Sequence, residues 1–83
     1  MAVYNTEVEH KGTIFHVQTQ DKGLGVNYIE SIIYKSGRVI SSRKTFYTAF
    51  LGSPNLKEKI TQVVKDQHEA TCKEISSGKF DHL

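Results

Sequence analysis

The chain has 83 residues, 37% of them hydrophobic, and its 11 basic and 9 acidic side chains leave a net charge of +2. That length makes one domain with a marginal core, and so mild a charge gives no electrostatic case for nucleic acid by itself. A single cysteine excludes an internal disulfide, four scattered histidines offer no paired zinc-ligand spacing, and no apolar run nears the roughly 18 residues that span a bilayer.

The first half of the chain reads in period two. Tyr4, Thr6 and Val8 alternate with Asn5, Glu7 and Glu9, and after Lys11-Gly12 the pattern resumes with Phe15, Val17 and Thr19. A two-residue Lys11-Gly12 turn predicts Val8 opposite Phe15, Thr6 opposite Val17 and Glu7 opposite His16, which gathers the β-favouring residues on one face. Residues 21–27 hold two glycines and two Asx residues and read as a loop. Tyr28 to Tyr34 is the most apolar run, followed by a turn at Ser36-Gly37 and a strand from Arg38 to Tyr47. That turn predicts Ile33 opposite Ile40, Tyr34 opposite Val39 and Glu30 opposite Arg43.

Ser53-Pro54-Asn55 announces a helix, with Pro54 in its first turn and Asn55 and Glu58 at capping-box spacing. From Leu56 the apolar period becomes 3.6. Leu56, Ile60, Val63, Gln67, Ala70 and Thr71 form the stripe expected to face the sheet, with Val64 and Ile75 beside it, and Gly78 is the expected C-cap. The fold expected is therefore α+β, one domain over 1–83: a three- to four-stranded antiparallel sheet, then one long C-terminal amphipathic helix on one face, with 1–7 and 79–83 prone to fray.

One helix covers one face of a sheet. Tyr28, Ile32, Tyr34 and Val39 fall on one side of the second hairpin, and Ile29, Ile33, Ile40 and Phe46 on the other, so both sides are partly apolar. With no cross-link to support a small core, this points to a partner-binding surface at Tyr28, Ile32, Tyr34 and Val39, most simply for a second copy of the chain. The alternative is a nucleic-acid surface built on Lys35, Arg38, Arg43 and Lys44 among the nearby aromatics.

Other constellations carry less. His68 and Cys72 stand four apart on one helix face, expected to be the solvent side, where a catalytic pair lacks a cleft. His16 opposite Glu7 has the makings of a pH-sensitive pair, but a solvated cross-strand pair explains it as well. Gly23-Leu24-Gly25 is half a dinucleotide fingerprint without its third glycine or its following helix. No catalytic residue, metal or cofactor is expected, and the N-terminus has neither the basic start nor the apolar core of a signal peptide, so a cytoplasmic, reducing location is expected.

The segments Phe15-His16-Val17-Gln18-Thr19-Gln20-Asp21, Tyr28-Ile29-Glu30, Gly37-Arg38-Val39-Ile40-Ser41-Ser42-Arg43-Lys44-Thr45, Gln67-His68 and Gly78-Lys79-Phe80-Asp81 resemble a group of short bacterial proteins and domains of unknown function. The resemblance implies a small bacterial domain and brings no activity or cofactor with it. It would draw His16, Gln18, Thr19 and Arg43 into a polar cluster on adjacent strands.

Overall fold

A computed structural model describes residues 3–83. Four strands, β1 (Val3–His10), β2 (Thr13–Asp21), β3 (Tyr28–Lys35) and β4 (Arg38–Phe46), form an antiparallel meander in the order β1-β2-β3-β4. A 3₁₀ turn at Thr48–Phe50 leads to the helix α1 (Leu56–Ser76). The architecture is α+β, as the order of periodicities predicts. Among the described residues no helix is long and apolar enough to cross a membrane. Residues 1 and 2 of the segment expected to fray lie outside the described residues, and from Val3 onward that segment is paired strand.

Both hairpins turn on two residues with positive φ, Lys11-Gly12 (52° and 79°) and Ser36-Gly37 (54° and 79°). This is the type I′ turn, whose twist matches that of the flanking strands. The first hairpin has the predicted register, with Val8 paired to Phe15, Thr6 to Val17 and Glu7 to His16.

The second hairpin departs from its prediction. Tyr34 pairs with Val39, but a bulge follows, so Ile33 pairs with Ser41, Ser31 with Arg43 and Glu30 with Lys44. Ile40 is the extra residue, and its side chain packs on the buried cluster of Phe15, Val17, Ile33, Ile75 and Phe80. The insertion shifts everything beyond it by one position. Arg43 therefore turns to the helix side and pairs with Glu74, instead of facing Glu30. Phe46, expected on the side of Ile29 and Ile33, lies instead on the opposite face, paired with Tyr28.

The helix lies chiefly over β1 and β2, touches β3 less, and leaves the inner side of β4 thinly covered. Its buried residues are Ile60, Val64, Gln67, His68, Thr71 and Ile75. The stripe is thus rotated from the one predicted: Ala70 is exposed, Val63 is half-buried, and His68 and Cys72 face the sheet rather than solvent. Asn55 holds the N-cap position but makes no side-chain cap bond, and Pro54 precedes it, outside the helix. The C-terminus closes as predicted. Gly78, at φ 91°, lets its own N–H reach the Ile75 carbonyl and the Lys79 N–H reach that of Glu74, which is the Schellman pattern. The tail after it folds back to bury Phe80 and holds Asp81 against His10 (3.1 Å) and Lys11 (3.2 Å).

Candidate functional site

Two regions carry side chains beyond what the fold demands: a polar seam under the helix and the uncovered outer face of the sheet. The seam arises because the residues of β2 and β3 that face the helix are not all apolar. Phe15 and Val17 give way to Thr19 along β2, and Ile33 and Ile29 flank Ser31 on β3, where Thr19 and Ser31 are register partners. The helix lays Gln67 and His68 over them. Thr45 Oγ1 donates to Gln67 Oε1, and Gln67 Nε2 donates to Ser31 Oγ (2.9 Å). Ser31 and Thr19 join through their hydroxyls at 2.7 Å. His68 then bridges Thr19 Oγ1 at Nδ1 and Thr6 Oγ1 at Nε2, both at 2.8 Å.

One direction satisfies every group in this chain. Thr45 donates to Gln67, Gln67 to Ser31, Ser31 to Thr19, Thr19 to Nδ1, and the Nε2 proton goes to Thr6. The seam separates two apolar clusters, one around Phe15 and Ile75, the other around Ile29, Tyr47, Ile60 and Val64. Burial lowers the His68 pKa, so the neutral ring that this chain requires is also the one its surroundings favour. Burial likewise raises the Cys72 thiol, with the Glu69 charge adding to it, which disfavours the nucleophilic thiolate. No hydrogen bond joins Cys72 to His68. The seam is a fully satisfied structural element.

At the other end of the core, Tyr47 donates to Asp21 Oδ1 at 2.8 Å, and the same oxygen accepts the Gly23 N–H at 2.9 Å. Burial, then the hydrogen bond to Asp21 and its negative charge, push the Tyr47 pKa to about 12. Gly23 and Gly25 therefore belong to a loop held by Asp21 and Asn27, with no phosphate cradle.

The outer face is built from the alternate residues of the same strands: Val3, Asn5, Glu7 and Glu9 on β1; Ile14, His16, Gln18 and Gln20 on β2; Tyr28, Glu30, Ile32 and Tyr34 on β3; and Val39, Ser42, Lys44 and Phe46 on β4. Tyr28, Ile32, Tyr34 and Val39 all lie on it. The bulge adds Phe46, and Ile14 joins from β2; Ile14, Val39 and Phe46 are 57%, 55% and 63% exposed. Ile14 belongs to the first hairpin, outside the apolar run of the second, and Phe46 reaches this face only through the bulge, which has no local sequence mark. His16 holds Asn5 Oδ1 at 3.2 Å, not Glu7, and its ring stands edge-on to Tyr34.

The four basic residues of the second hairpin do not share a surface. Lys44 is on the outer face, 4.9 Å above the Tyr28 ring. Arg43 is on the helix side with Glu74. Lys35 is also on that side, donating to the Leu83 carbonyl at 3.2 Å, and Arg38 pairs with it at the hairpin end. The His16, Gln18, Thr19 and Arg43 set divides in the same way, with the first two outside and the last two inside. Among the described residues no three His, Cys, Asp or Glu side chains gather to hold a metal.

No family model, curated protein or solved structure matches the chain. The functional reading rests on the outer face itself.

Proposed function

We propose that the domain is a non-enzymatic interaction module that associates with a second copy of itself through the outer face of its sheet. The observation that carries this reading is the run of neighbouring apolar side chains on that face, the exposed Val39 with its register partner Tyr34 and, next along β3, Ile32, both half-buried. Contiguous exposed apolar surface of this kind marks contact sites. A second copy is the occupant favoured by charge, since the same face carries Glu7 and Glu9 along β1 and Lys44 on β4, and so offers both halves of an ion pair. The same reading places the protein in the cytoplasm, where its lone Cys72 stays reduced.

Sedimentation velocity tests it. A dimer is expected at roughly 100 µM, and Ile32→Asp, which sets a charge in the middle of the apolar surface, should leave only monomer with an unchanged fold. A wild-type chain that stays monomeric at that concentration rejects the reading.

Single-stranded nucleic acid is the alternative. It draws support from one corner of the outer face, where Tyr28 and Phe46 lie with ring centroids 5.2 Å apart under Lys44, since exposed aromatics with a nearby cation can stack bases. Retention of a single-stranded probe at low salt, abolished by Phe46→Ala with Lys44→Glu, would move the assignment there.

A further inference from the structure

We infer that the two copies dock with their strands crossed near a right angle, so that Glu7 of each faces Lys44 of the other on either side of a diagonal that runs from Val3 to Val39 between Gln18 and Ile32. This rests on the self-association proposed above and adds its geometry.

The argument comes from the register. One row across the outer face is Asn5, Gln18, Ile32 and Ser42. Glu7 lies two residues beyond that row on β1. Lys44 lies two residues beyond it on β4, in the opposite direction, because β1 and β4 run antiparallel in a four-strand meander. Strands are about 4.8 Å apart and rise about 3.4 Å per residue. From the midpoint of the row, both charges are therefore displaced roughly 7 Å across the strands and roughly 7 Å along them, towards opposite corners. Val3 and Val39 occupy the other two corners, in the rows of Lys44 and Glu7 respectively.

Two identical faces in contact are related by a two-fold axis lying in the plane between them. An axis parallel to the strands sets Glu7 on the partner's Val39 and Lys44 on its Val3. An axis across the strands sets Glu7 on Val3 and Lys44 on Val39. Both bury charges against apolar side chains, which is costly. An axis along the diagonal from Glu7 to Lys44 sets each charge on its own copy, which is repulsive. Only the diagonal from Val3 to Val39 sets Glu7 against the partner's Lys44, and symmetry makes that contact twice. The same diagonal passes between Gln18 and Ile32, so Val3 and Val39 meet their own copies, while Ile32 meets the partner's Ile32 and the partner's Gln18. Strands related by it cross near 90°, one of the two established ways for sheets to pack. Glu30, the register partner of Lys44, also has Lys22 within 4.0 Å, so this corner holds cations for both its own carboxylate and the incoming Glu7. Phe46 and Ile14 fall outside the overlap, at its rim.

Charge-swap variants decide it, because Glu7 and Lys44 are exposed strand positions whose reversal leaves the core intact. Glu7→Lys alone and Lys44→Glu alone should each weaken self-association about 10-fold or more, since each creates two like-charge contacts per dimer. An equimolar mixture of the two variants should form a heterodimer within about threefold of wild-type affinity, because both contacts are then opposite in sign. The Glu7→Lys, Lys44→Glu double variant should recover the homodimer to the same extent. If the wild type dimerises but neither the mixture nor the double variant recovers, the crossed arrangement is overturned while self-association stands. If the wild type is monomeric, both fall.

Discussion

On the inner face of the sheet Phe15, Val17, Ile29 and Ile33 are buried under the helix, while on the outer face Ile14, Val39 and Phe46, from the same strands, stay in water. The two faces differ little in hydrophobic content. They differ in cover, and the cover is one helix that lies chiefly over β1 and β2. The inner face also holds polar groups, but Thr19, Ser31, Gln67 and His68 exhaust one another's hydrogen bonds there. The outer face holds Glu7 and Lys44 in solvent. A buried polar group must be answered within the chain, whereas an exposed one remains available to a second molecule.

The widest contrast comes from removing one phenyl ring from each face. Phe15→Ala should cost about 3–5 kcal/mol of folding stability, and Phe46→Ala less than about 1, because only the first opens a cavity. Urea denaturation at low micromolar concentration, where self-association does not contribute, reads both. Equal losses would mean that the outer face is covered by the chain itself.

The histidines sharpen the comparison. His68→Ala should cost about 2–3 kcal/mol, since it leaves the buried Thr19 hydroxyl without an acceptor for its proton. His16→Ala, which removes one exposed contact to Asn5, should cost less than about 0.5 kcal/mol. The acid dependence carries a sign. Burial holds the folded His68 ring below its ordinary pKa of 6.5, so below that pH the unfolded chain binds more protons than the folded one. Stability therefore rises with pH in that range. The contribution from His68 is complete above pH 6.5, drains as pH falls below it, and stops changing once the folded ring takes up its own proton. Denaturation curves between pH 4 and 8 should lose this slope in His68→Ala and keep it in His16→Ala.

The smallest effect belongs at the helix start. Asn55→Ala should change stability by less than about 0.5 kcal/mol, against about 1 for a residue whose side chain caps the helix. A loss near the larger figure would show that the cap bond forms in solution.

Much of this was legible from the residues. Lys11-Gly12 between two alternating runs gives the first hairpin to the residue, because a type I′ turn of two residues leaves no freedom in pairing. The second hairpin has an equally clear turn at Ser36-Gly37, yet its register fails after one pair. The bulge at Ile40 is set by packing: an isoleucine beside the Phe15 cluster gains more by turning inward than the ladder loses. The helix face was misjudged for a related reason. A stripe drawn from apolar residues leaves out His68, whose burial depends on Thr6 and Thr19, partners more than 45 positions away. That Tyr28, Ile32, Tyr34 and Val39 share one face follows from alternation alone. Phe46 was lost with the register, and the scattering of Lys35, Arg38, Arg43 and Lys44 over two faces follows from the same shift.

The bulge in β4 also makes the two rims of the sheet unlike. β4 is kinked where another strand would have to lie along it. β1, at the opposite rim, pairs residue for residue with β2 and has neither bulge nor proline to interrupt its outward N–H and C=O groups. Fibrillar growth, if this protein undergoes it, should begin by strand addition at β1. Glu7 and Glu9, exposed along that rim, are the main restraint on templated assembly there.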